Sequence, residues 1–259
     1  SGAAAGNLLM AAACITGLND EAIDQLPDTS DLNNEILIFS GQRNHYDKSF
    51  QMSGGRIIEY GNCEHISLGK QLSNAIRKQT VAVAWIEGPF ISRPFPIEEG
   101  IQTAHAAGVP FIVDAAAEVP PIENLTRYMK VGADMVTFSG GKGIGGPQDT
   151  GLLAGRSDLI AAARRNSLSH GSPRAPVGRP AKVSKEAIAG LVTALELFQE
   201  SDHSKTWDTW RERAQYIVDQ LADIQGLDIV LEDGDPNRQG PQAVIYFENN
   251  WSGLSADQL

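Results

Sequence analysis

The sequence predicts an α/β fold, a mostly parallel sheet flanked by helices, followed by a smaller and partial α+β unit. Three observations carry this. From Ile36 onward short apolar runs alternate with amphipathic stretches, the pattern of a sheet covered by helices. The runs are continuously apolar, which implies burial on both faces and hence mainly parallel pairing. After Arg156 the character changes: a loop rich in Ser, Gly, Pro and base leads to long amphipathic helices and only two more strand-like runs.

Residues 1–17, "SGAAAGNLLMAAACITG", read as a helix with small residues at its entry and Gly17 as a stop. Strands are expected in "EILIFS", "GRIIEYG", "TVAVAWIE", "VPFIVDAA", "ADMVTFSG" and "GLLAG". Helices are expected over Tyr46 to Ser53, Leu68 to Lys78, Ile97 to Ala107 and Ile122 to Val131. Ser184 is a cap for a helix reaching Glu200, and a second helix runs from Trp207 to Ile224. "GLDIVLED" and "QAVIYFENN" then supply two strands, too few to cover a core. The expected division is a large domain over 1–180 and, over 181–259, a connecting helix with the start of a truncated small domain.

With 21 basic and 32 acidic residues the formal net charge is −11, which repels phosphate-rich polymers and disfavours a nucleic-acid partner. No run reaches the roughly 18 to 20 apolar residues of a membrane span. Cys14 and Cys63 have no metal or disulfide spacing, which suits packing roles and a cytoplasmic location. The histidines His65, His105, His170 and His203 show no metal spacing either, so no metal site is expected.

The stretch "FSGGKGIGGP" sets Lys142 among five glycines. A nucleotide-binding loop needs Ser or Thr after the lysine, but Gly143 stands there. A dinucleotide fingerprint should open a helix, whereas Pro147 and another apolar run follow. A third chemistry, covalent bonding of the lysine to a carbonyl cofactor, gains support from Asp114, 28 residues upstream at the end of a buried strand. Both residues fall at the carboxyl ends of parallel strands, where open sheets bind ligands. Such an aspartate can pair with a cationic ring nitrogen, and a lysine in a low-dielectric pocket can lose its proton and become nucleophilic. The small residues of "SGAAAG" let helix-start amides approach an anion, with Ser1 and Asn7 as side-chain donors and Ser139 adding a hydroxyl.

Together "SGAAAG", "VDAAAEVPP", "FSGGKGIGGPQDTG" and "APVGRPAKVSKE" resemble the selenocysteine synthase-like branch of fold-type I pyridoxal-phosphate enzymes, from the first residue to about Leu197. That branch includes selenium transferases acting on seryl-tRNA and ammonia-lyases of amino acids and sugar acids. Members carry a further amino-terminal segment and a complete small domain, so this chain reads as an internal fragment. The resemblance implies the cofactor pyridoxal 5'-phosphate, Lys142 as its Schiff-base partner and proton shuttle, and Asp114 as partner of the ring nitrogen. It implies that Gly2, Ala3 and Ala4 hold the phosphate with Ser139, that Ala116 lies against the ring face, and that His45 stacks on the ring, with Arg43 as competitor. Gln148 is expected near the cofactor or a neighbouring subunit. Arg179, ahead of Arg174 and Lys182, is expected to bind a carboxylate or phosphate.

Selenium transferases usually have an acidic residue before the lysine and a basic one after the second strand; Gly141 and Glu64 stand at the corresponding positions. The expected reaction is therefore α-proton removal and β-elimination, with ammonia release, on a small amino acid or amino sugar acid. Selenium transfer, racemisation and a catalytically silent binding module are the alternatives. A homodimer or larger homo-oligomer is expected, because this fold builds its site across two subunits.

Overall fold

The computed structural model describes residues 2–63, 65–88, 91–168, 174–234 and 240–258, in two compact units, 1–199 and 200–259. Helix α1 (Gly2–Thr16) and the short α2 (Asp20–Gln25) precede β1 (Glu35–Phe39), α3 (Lys48–Gln51) and β2 (Arg56–Tyr60). Then come α4 (Leu68–Ala75), β3 (Thr80–Ile86), α5 (Ile97–Ala106), β4 (Phe111–Asp114), α6 (Asn124–Lys130) and β5 (Met135–Ser139). Strand β6 (Gly151–Gly155), α7 (Ser157–Ser167) and α8 (Lys185–Glu200) follow. The six strands lie in the order β2-β1-β3-β4-β5-β6, all parallel except β6, which returns antiparallel to β5 through the lysine loop.

Side chains alternate between two cores. On one face Leu37, Val83, Trp85, Phe111, Val113 and Phe138 pack with residues of α4, α5, α6 and α8. On the other, Ile36, Ile38, Ala82, Ala84, Ile112 and Met135 meet α1, α3 and α7. The second face is lined with alanine on both partners, Ala82 and Ala84 on β3 against Ala11 and Ala13 on α1, so the helix sits close to the sheet. At Gly6 the approach is closest: a Cβ there would overlap the buried Thr137 side chain of β5.

Expectation and structure differ at several edges. The segment expected as a helix from Tyr46 opens with a 3-10 turn, His45–Asp47, because the Asn44 side chain caps Tyr46 N–H at 2.7 Å. Helix α2, with Asn19 as its cap, lay outside the apolar pattern. The first unit reaches Gln199, beyond the expected division at 180, since Leu191 and Phe198 of α8 bury in its core. Burying one such phenylalanine stabilises by about 1.5–3 kcal/mol. Cys14 packs against the alanine-lined core, whereas Cys63, expected in packing, is exposed; both are free thiols. In the second unit α9 (His203–Leu221) packs on the antiparallel pair β7 (Leu227–Glu232) and β8 (Gln242–Phe247). Among its described residues Ala214 is the one buried hydrophobic side chain. No helix among the described residues is long and apolar enough to cross a membrane.

Gly6→Ala is expected to cost about 1–3 kcal/mol, the usual range for overpacking, read as a lower denaturant midpoint with an unchanged slope.

Candidate active site

Strands β3, β4 and β5 end at one edge of the sheet, and α1 brings its amino end to the same edge. Between them lies a cavity of about 310 Å³ lined by Ala3, Ala4, Asn7, Asp114, Ala116, Ser139 and Lys142. The remaining wall comes from Asn44 and Tyr46 after β1 and from Ile86, Glu87, Gly88, Ile91 and Ala117. The volume falls at the lower end of ligand pockets, roughly 300–1,000 Å³.

Asp114 closes β4 and is 5% exposed. Its Oδ2 accepts a 2.6 Å hydrogen bond from Asn7 Nδ2, and its Oδ1 accepts from Ala116 N–H at 3.0 Å. Burial pushes its carboxyl above the ordinary value; the Asn7 and Ala116 hydrogen bonds and the charge of Lys142 pull the other way, while Asp47 adds to the rise. Asn7, expected as a phosphate donor, is thus turned to the carboxylate.

Lys142 stands on a tight turn. Gly145 N–H bonds Lys142 C=O at 2.9 Å, Gly146 N–H bonds Gly140 C=O at 2.8 Å, and Gln148 Nε2 bonds Gly141 C=O at 3.0 Å. A Cβ at Gly143 would overlap the Val119 carbonyl, so the turn lies directly on the loop after β4. The glycines therefore serve close approach, and Gly145 also takes a positive φ of 75°. Lys142 is exposed while lining the cavity, in contrast to the enclosed lysine expected from sequence.

At the start of α1, Gly2 has a φ of 67° and gives its N–H to Asp149 C=O at 3.3 Å. It does not line this cavity; Ala3 and Ala4 do, in a first turn whose N–H groups have no helical acceptor. Ser139 and Ala116 also line it, joined by a Ser139 N–H to Ala116 C=O bond of 3.2 Å. His45 is exposed and outside the lining, where Tyr46 takes the place beside it. Arg43 is held by Asp47 and Glu59, and neither it nor Gln148 lines the cavity. Arg179 is exposed in a 3-10 turn before α8, also off the lining, and Arg174 and Lys182 are not among the lining residues. Ser1, Glu64 and His170 lie outside the described residues. Among the described residues no three metal-ligating side chains cluster.

Sequence reasoning missed Glu87. It follows β3 as Asp114 ends β4, so the same signal, an acid at a strand's carboxyl end, marks it. Trp85 Nε1 donates to it at 3.0 Å and Arg93 Nε at 2.7 Å, and Arg93 also reaches Glu118 at 3.4 Å.

The family model described as "Aminotransferase class-V" matches residues 58–251. The chain belongs to that family. Among aminotransferase class-V relatives, it is 30% identical over 263 residues to the D-glucosaminate-6-phosphate ammonia lyase of Salmonella typhimurium, covering 99% of this chain and 67% of the relative. It is 29% identical over 267 residues to the 5'-C-glycyluridine monooxygenase-decarboxylase of a Streptomyces species, covering 100% of this chain and 64% of that one. A solved D-glucosaminate-6-phosphate ammonia-lyase structure superposes with a TM-score of 0.75 at 28% identity, over 95% of this chain and 64% of the other. The chain spans about two thirds of the length of these relatives. The fold is that of fold-type I enzymes, and pyridoxal phosphate is the family's cofactor. The donor set fits it: a carboxylate for a ring nitrogen, free helix-start amides for a phosphate, an amine for a carbonyl carbon and small side chains at Ala116 and Ala117, all on one cavity.

A carboxyl whose folded-state pKa lies above its unfolded value favours folding fully in acid, and that contribution is lost as pH rises through the folded pKa. In cofactor-free protein the melting-temperature difference, Asp114→Asn minus wild type, is therefore expected to be more positive at pH 7 than in acid below the ordinary carboxylate range, about pH 3.5. Thermal melts followed by circular dichroism across that span check it.

Proposed function

We propose that this chain is the cofactor-binding part of a pyridoxal-phosphate-dependent lyase that removes ammonia from an amino sugar acid bearing a β-hydroxyl. The observation that carries this is the shared cavity of Asp114, Lys142 and the α1 start; the similarity to the ammonia lyase supports the substrate class. Ala3 and Ala4 N–H groups, with Ser139 Oγ, would hold the phosphate where the helix dipole favours an anion. Asp114 would hold the ring nitrogen, Ala116 would lie against the ring, and Lys142 Nζ would hold the carbonyl carbon until substrate amine replaces it.

When bound, the cofactor supplies an electron sink for negative charge at the substrate's α-carbon. Lys142 Nζ takes the α-proton and returns a proton to the departing β-hydroxyl, which leaves as water. Water then adds back as the imine hydrolyses, so the net products are a keto acid and ammonia. Asp114 would hold the proton on the ring nitrogen, with the Asn7 and Ala116 N–H hydrogen bonds and the charge of Lys142 opposing the effect of burial on its carboxyl. Among the described residues the cavity lining includes no arginine. A substrate carboxylate or phosphate would be met by Arg179 or by a second copy of the chain, in the reading of this protein as a cytoplasmic homodimer.

The test uses full-length protein with pyridoxal phosphate. Borohydride is expected to fix the cofactor to Lys142, read by peptide mass spectrometry. Lys142→Ala is expected to lose the label and to lower turnover of D-glucosaminate 6-phosphate by roughly 100- to 10,000-fold, the scale of a lost general base. Keto acid and ammonia in equal amounts support the reading. Carbon dioxide release, epimer formation alone, or absence of cofactor uptake overturns it.

A further inference from the structure

We propose that Asn7 is a positioning residue that aims the Asp114 carboxylate at the cofactor's ring nitrogen. This rests on the pyridoxal-phosphate reading of the cavity and concerns a residue that acts through another. The side chain of Asn7 is 1% exposed, lies on the second turn of α1 and lines the cavity. Its Nδ2 donates to Asp114 Oδ2 at 2.6 Å, a short and charge-assisted contact.

The amide's orientation is fixed by that partner. Asn7 Oδ1 is buried with no hydrogen-bond partner, so turning the amide over would set its oxygen against a carboxylate oxygen. A buried amide with an orphaned acceptor carries a cost that an apolar side chain would avoid. The cost is offset by what the NH2 group does for Asp114.

Two donors hold the carboxylate from two directions. Ala116 N–H takes Oδ1 from the loop after β4, and Asn7 takes Oδ2 from the helix. With one donor on each oxygen, turning the carboxylate about its Cβ–Cγ bond would break both hydrogen bonds, and Asp114 itself lines the cavity. Asn7 also opposes the effect of burial on the carboxyl, as do Ala116 N–H and Lys142, while Asp47 acts against them. Glu87 lines the same cavity and Lys142 is its one lining cation among the described residues. Because Asn7 is on the same helix as Ala3 and Ala4, a single rigid element sets the spacing between the phosphate amides and the carboxylate.

The test compares two ligands on the full-length protein stripped of cofactor: pyridoxal phosphate and its 1-deaza analogue, in which the ring nitrogen is carbon. Affinities are read by fluorescence titration, which needs no turnover. A merely structural Asn7 would change both affinities alike. If Asn7 works through Asp114, Asn7→Leu lowers the ratio of pyridoxal-phosphate to deaza affinity about tenfold, and the same variant in an Asp114→Asn background changes the ratio less than twofold. Asn7→Ala, smaller than the native side chain, repeats the comparison should the leucine variant not fold. An unchanged ratio in a folded variant overturns the proposal. Failure of wild-type protein to bind pyridoxal phosphate overturns the cofactor reading instead, so the two outcomes are distinct.

Discussion

The site depends on how closely helix α1 lies on the sheet. Alanines at Ala82 and Ala84 of β3 and at Ala11 and Ala13 of α1, with Gly6 against Thr137, remove the side-chain bulk that would hold the two apart. Only at that distance can Asn7 reach Asp114 across a 2.6 Å hydrogen bond, and only then does the amino end of the helix share a cavity with the ends of β4 and β5. A leucine-rich interface of equal hydrophobicity would give an equally good core and no such site.

Charge placement follows from the same geometry. Removing a carboxylate from water costs several kcal/mol, and hydrogen bonds to a charged group each return about 1.5–3 kcal/mol. Two such bonds and one nearby ammonium therefore come close to balance at Asp114 without reversing the effect of burial, in keeping with the direction of its shift. A cationic ring nitrogen would complete that balance. The other carboxylate on the lining, Glu87, has its neutralising partner within the protein, since Arg93 and the Trp85 indole hold both of its oxygens. Two acids at neighbouring strand ends thus have different availability to a ligand.

The sheet was legible in the sequence because strands buried on both faces are almost continuously apolar, as β3 is after Thr80 and β4 is up to Asp114. Lys142 stood out in the sequence as a lysine among glycines and Asp114 as an acid ending an apolar run, and the family membership agrees with the branch their motifs resemble. What escaped was set by local turn chemistry and by contacts between distant residues. The Asn44 cap twists the following turn so that Tyr46, rather than His45, faces the cavity. Arg43 looked available for an anion, yet Asp47 four residues on and Glu59 on the neighbouring strand hold it. Asn7 and Asp114 are 107 residues apart, and nothing in either neighbourhood announces the pairing. The direction of β6 followed from its short connection: Gly140 N–H and Thr150 C=O close the loop at 2.9 Å, and only an antiparallel return fits so tight a turn.

The seating of Gly143 on the Val119 carbonyl has an implication for mobility. The turn bearing the amine and the segment leaving the carboxylate strand share one van der Waals surface with no room between them. The backbone at Gly143 and the backbone at Val119 therefore abut, so neither can move toward the other without displacing it.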